Sequence, residues 1–154
     1  MIASVLTTAL TVGDMNRSLA FYRDQLGFEV VVELPPPAER ERWDAYHEQV
    51  SQLAGARIRV VYLRAPDATT HLELIEYLEP KAPPPPRRRV HDPGTTIVAL
   101  SVRDSAAAVA RLRDAGVEVL ADPAYYRSDA GEVTYTTYLY DPDGNLLCLF
   151  EVVG

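Results

Sequence analysis

Apolar and polar positions along this chain alternate between two rhythms, and the switch happens twice. Residues up to Val12 are rich in β-branched and small apolar types. Asp14 then opens a stretch in which Met15, Leu19, Tyr22 and Leu26 recur at helical spacing. Asp104 opens a second such stretch, with Val109 and Leu112 among alanines. Each Asp follows a β-rich run and can accept from the free N–H groups of the next turn, which marks a helix start. Each helix closes on a glycine, Gly27 or Gly116, suited to the left-handed C′ position, and a strand follows.

The two stretches are an internal repeat. Val12-Gly-Asp14 matches Val102-Arg-Asp104 at an offset of 90 (102 − 12), and Arg23-Asp24 through Val30 matches Arg113-Asp114 through Val119, the offset closing by one residue at Gln25-Leu26 against Ala115. Strands are expected over 28–34, 58–63 and 71–78 in the first half, and over 117–120, 133–140 and 146–152 in the second. Asp141-Pro-Asp-Gly-Asn145 supplies the last turn. The pattern predicts an α+β fold of two β-α-β-β-β modules. The first spans 1–80 with a helical insertion at 36–54, whose helix over 38–53 carries Trp43, Tyr46, Val50 and Leu53. A Pro/Arg linker covers 81–93, since four consecutive prolines cannot join a ladder. The second module spans 94–154.

Composition narrows the function. The 154 residues are 47% hydrophobic, which excludes disorder, and the net charge of −7 argues against nucleic acid as a partner. The start of the chain lacks a positive region and runs into a helix cap, so it reads as a strand rather than a secretory leader. No apolar run reaches the roughly 18 residues of a membrane span. Cys148 is the single cysteine, which excludes an internal disulfide and a cysteine-rich zinc site. A cytoplasmic location is expected, with no membrane partner. High Ala, Arg and Pro content hints at a high-GC genome, where natural-product clusters are frequent.

Three motifs then carry a family resemblance: Asp14-Met-Asn-Arg-Ser-Leu-Ala-Phe-Tyr-Arg-Asp-Gln-Leu-Gly-Phe28, Leu72-Glu-Leu-Ile-Glu76 and Asp141-Pro-Asp-Gly-Asn-Leu-Leu147. The sequence resembles the vicinal oxygen chelate superfamily, which includes glyoxalases, methylmalonyl-CoA epimerases, extradiol dioxygenases and bleomycin-resistance proteins. The resemblance implies curled mixed sheets around a ligand cup. It also implies four metal-ligand positions, one on the first and one on the last strand of each module. Here those positions hold Thr7, Glu73, Ile97 and Cys148. One carboxylate, one hydroxyl and one thiol are too few strong donors for a divalent ion, so no metal and no other cofactor is expected.

What remains is one carboxylate. Strand alternation puts His71, Glu73 and Ile75 on one face, and the family register aims Glu73 into the cup. A carboxylate there suits general acid–base work; the alternative makes it a structural group hydrogen-bonded to a tyrosine or arginine. Thr7, His71, Ile97, Tyr138 and Cys148 are expected to line the ligand, with His71 at the rim and one or two of the clustered tyrosines (Tyr125, Tyr126, Tyr135, Tyr138, Tyr140) in the pocket. Arg87-Arg88-Arg89 reads as a solvated charge run. Two functions lead: a metal-independent isomerase, cyclase, dehydratase or lyase using Glu73 for proton transfer, or a non-catalytic binder that sequesters a small natural product; a metal enzyme with a rearranged ligand set such as Glu73 with His71 is the third alternative. The resemblance, with the extra helix, also implies a homodimer.

Overall fold

A computed structural model describes residues 4–153. The chain divides into two compact units, Met1–Pro85 and Pro86–Gly154, and each repeats the same order of elements. In the first, strand β1 (Thr7–Val12) leads to helix α1 (Met15–Leu19), which continues as a π-helical segment over Ala20–Gln25. Strand β2 (Glu29–Leu34), the inserted helix α2 (Arg40–Ser51), and strands β3 (Arg57–Arg64) and β4 (His71–Glu79) complete it. The second unit has β5 (Ile97–Ser101), α3 (Ser105–Asp114), β6 (Ala124–Arg127), β7 (Val133–Tyr140) and β8 (Leu146–Val153). The sheet orders β1-β4-β3-β2 and β5-β8-β7-β6 are the same permutation, each with one parallel pair and two antiparallel ones. The fold is therefore α+β, as the repeat requires.

The expected caps are in place. Asp14 accepts from the Arg17 N–H (3.0 Å) and Asp104 from the Ala107 N–H (2.9 Å). Gly27 and Gly116 both adopt φ +80, where a side chain would strain the backbone. A further pair is equally symmetric. Glu76 on β4 accepts from the Met15 N–H (3.3 Å), and Glu151 on β8 accepts from the Ser105 N–H (2.8 Å). Each sheet thus fastens the start of its own helix with a carboxylate, which also suits the positive end of the helix dipole.

Helix and sheet bury one face of each module. In the first, Leu10, Val12, Met15, Leu19, Val61, Leu63, Leu72 and Leu74 are buried, with Phe21, Tyr22 and Phe28 packed edge to face at 5.0 and 6.0 Å. In the second, Val109 and Leu112 of α3 and Leu139, Leu147 and Leu149 of the sheet are buried.

One strand is displaced from expectation. Residues 117–120 contribute only the isolated bridge Val119–Leu139, with Leu120 N–H donating to Tyr138 O (2.8 Å), and the edge strand forms at β6 instead. Both pieces use the same long partner: 118–120 bonds the end of β7 and β6 bonds its beginning. Pro123 between them has no N–H to give, which interrupts the ladder. The Arg run is also less free than expected. The Arg87 guanidinium lies 3.5 Å over the Tyr140 ring and pairs with Glu118 at 2.8 Å, while the Tyr140 hydroxyl donates to Arg88 O (3.0 Å).

Candidate functional site

With α1 packed on one face of the first sheet, the other face is set by register. Parallel pairing of β1 with β4 matches Thr7 with His71 and Ala9 with Glu73. Antiparallel pairing of β3 with β4 matches Tyr62 with Glu73 and Val60 with Ile75. Alternation then brings Thr7, His71, Glu73, Ile75, Val60 and Tyr62 to one face, opposite the buried Leu72, Leu74 and Glu76. The Thr7 hydroxyl donates to His71 O (3.0 Å), and the His71 ring meets Tyr62 edge to face at 6.3 Å.

Tyr62 and Glu73 form the polar centre of this face. Burial pushes the Tyr62 phenol above its ordinary pKa, and the neighbouring Glu73 carboxylate pushes it the same way. Tyr46 of α2 lies near enough to add to that shift. The inserted helix packs on this side of β3, where Ile58 and Val60 are each 1% exposed and the Arg40 guanidinium donates to Ile58 O (2.7 Å). Trp43, Tyr46 and His47 stack along α2, with ring centroids 4.5 Å apart for Trp43 and His47.

The second module repeats the geometry with different chemistry. Ile97 pairs with Leu146, Ala99 with Cys148, and Tyr138 with Cys148. Ile97 therefore stands where Thr7 does, Cys148 where Glu73 does, and Tyr138 where Tyr62 does. Cys148 is 5% exposed, and burial pushes its thiol up in pKa. A protonated, buried thiol is a small apolar group rather than a nucleophile. Of the other clustered tyrosines, Tyr125 and Tyr126 are exposed, Tyr135 stacks on Tyr125 at 5.6 Å, and Tyr140 lies under Arg87.

Tyr62 is the site residue that sequence reasoning missed. The repeat held the signal: Tyr62 and Tyr138 are 76 residues apart, whereas Glu73 and Cys148 are 75 apart. The β3–β4 connection is one residue longer than the β7–β8 turn, which hides the match from a fixed offset.

The four positions at which the resemblance implies metal ligands do not fit a divalent ion. The Thr7 hydroxyl is committed to a backbone carbonyl, Ile97 has no donor atom, and the Cys148 thiol holds its proton. Among the described residues no three His, Cys, Asp or Glu side chains are grouped as metal ligands would be.

Two βαβββ modules with matched caps, matched registers and a tyrosine-lined sheet face define a duplicated-module α+β protein. The family model of the Glyoxalase/Bleomycin resistance protein/Dioxygenase superfamily matches residues 4–149, and the chain belongs to that superfamily. Its fold is similar to that of a glyoxalase family protein from Bacillus cereus, with a TM-score of 0.82 at 19% identity over 100% of this chain and 97% of that one. The trypanothione-dependent glyoxalase I of Leishmania major superposes with a TM-score of 0.63 at 24% identity, covering 97% of this chain and 87% of that one. An antibiotic-binding protein from Streptomyces sp. gives 0.60 at 22% identity, covering 99% and 98%. At these identities the likeness is one of fold. No curated protein matches the chain.

Proposed function

We propose that this protein acts on a small organic molecule without a metal, with Glu73 as the proton-transferring group and Tyr62 as the phenol that positions it. The observation that carries the reading is the Tyr62–Glu73 pair, a carboxylate retained where the family's other metal-ligand positions have become Thr7, Ile97 and Cys148. A phenol that holds its proton and faces Glu73 across the β3–β4 ladder is placed to donate to the carboxylate when a ligand is bound, leaving the other lone pairs for a substrate proton. Accepting a proton from one substrate atom and returning it to another covers isomerisation, cyclisation and elimination of water. Thr7 and His71, on the same face of the first sheet, are then substrate-lining residues. Natural-product metabolism in the cytoplasm is the setting that the composition favours.

The second reading is a sequestering binder, supported by the fold likeness to an antibiotic-binding protein and by the aromatic side chains of α2. Glu73→Gln separates the two. The amide keeps the size and an acceptor oxygen, but it takes no proton at neutral pH. Turnover by an enzyme is expected to fall about 10²–10⁴-fold with a far smaller change in affinity. Turnover equal to wild type in Glu73→Gln refutes the assignment of Glu73.

A further inference from the structure

The inserted helix α2, which the second module lacks, carries polar atoms that the fold itself does not use. Trp43 Nε1 and His47 Nε2 are buried and have no hydrogen-bond partner. Buried polar atoms are nearly always paired, so two orphans on adjacent turns of one helix call for an explanation. Burial lowers the His47 pKa against the pull of Asp44. The ring is therefore neutral, with one N–H and one bare nitrogen. The helix packs on β3; on the next strand His71 and Glu73 flank Tyr62 of β3, and Tyr46 of α2, itself 55% exposed, borders the group.

We propose that α2 and the Tyr62–Glu73 face form a slot for a neutral, planar aromatic molecule with hydrogen-bonding groups on its edge, and that this edge pairs with Trp43 Nε1 and His47 Nε2. The inference deepens the reading of Glu73 above and rests on ligand binding at that face. Rings from both sides suit a flat π-system. The Glu73 carboxylate opposes an anionic ligand. Of the cations on and beside the helix, Arg40 and Arg57 are engaged by Asp44, by Ile58 O and by Glu79, and Arg42 pairs with Glu39. Entry requires α2 to lift. No residue of the helix is buried as a whole, the two buried nitrogens notwithstanding, and among the described residues its polar ties to β3 are the bonds of Arg40 and Arg57 just named.

The test is calorimetric titration of the full chain with 1,5-dihydroxynaphthalene, a neutral planar diol, and with 2-naphthoate, an anion of similar area. Wild type, Trp43→Phe, His47→Phe and Glu73→Gln are compared. The diol is expected to bind wild type and the naphthoate to bind at least about tenfold more weakly. Each of Trp43→Phe and His47→Phe should weaken the diol by about five- to tenfold, the effect of one lost hydrogen bond. Their thermal midpoints should match or exceed wild type, because an unpaired buried polar atom has been removed. Absence of diol binding to wild type, preference for the naphthoate, or equal diol affinity in Trp43→Phe and His47→Phe overturns the slot. Loss of diol affinity in Glu73→Gln alone places the ligand on the sheet without α2, which also overturns the slot while Glu73 stands. Loss in the two α2 variants with normal turnover in Glu73→Gln supports the slot and removes the catalytic reading.

Discussion

Replacing Glu151 by alanine removes the carboxylate that fastens α3 to its sheet. Glu151 Oε2 accepts from the Ser105 N–H at 2.8 Å and from the Ser105 hydroxyl at 2.6 Å, and Ser105 is 2% exposed. The helix cap Asp104 does not compensate, because its side chain serves the Ala107 N–H. Two buried donors therefore lose their acceptor. At about 1–3 kcal/mol for an unpaired buried group, and with the hydroxyl free to rotate toward another acceptor, the expected loss is about 2–4 kcal/mol. For a chain of this length that lowers the thermal midpoint by roughly 5–15 °C. Glu151→Gln retains an acceptor and loses the charge at the helix start, so it should cost only about 1 kcal/mol. Urea unfolding followed by far-UV circular dichroism is the assay. Two compact units require a check for two transitions, with the loss assigned to the one that moves. An alanine variant within about 0.5 kcal/mol of wild type, or a glutamine variant as damaging as the alanine, would refute the argument.

Three other outcomes follow from the same geometry. The Tyr62 phenol has its pKa raised above 10.0 in the folded state, so its contribution is complete below about pH 10 and is lost as pH rises through the higher folded value; Tyr62→Phe should flatten the alkaline decline of the urea midpoint, and an unchanged slope would contradict the Tyr62–Glu73 contact. The purified protein should carry far less than one divalent metal per chain by elemental analysis, with function unaffected by chelator, because Thr7, Glu73, Ile97 and Cys148 are a poor donor set; about one metal per chain, lost together with function, would reverse this. The protein should be a dimer by light scattering, with Tyr46 and Val50 of the inserted helix and Leu53 just after it exposed in the single chain; a monomer at high concentration removes that proposal and leaves the fold untouched.

The sequence by itself determined the duplication, because each signal in it is local. A capping Asp, an apolar helical stripe and a positive-φ glycine act within a few residues, and they recur at 14, 104, 27 and 116 whatever the modules pack against. The same repeat fixed Thr7 and Ile97 as counterparts, because a parallel first strand entering a capped helix leaves little freedom of register. Tertiary pairing decided the rest. The edge strand formed at β6 rather than over 117–120 because β7 offers eight residues of ladder and Pro123 divides the chain that competes for it. Tyr62 reached Glu73 through antiparallel pairing across a connection one residue longer than its counterpart, which no local periodicity reports. The unpartnered nitrogens of Trp43 and His47 arise only when α2 lies down on β3, since burial, unlike capping or alternation, is a property of what covers a residue rather than of its neighbours along the chain.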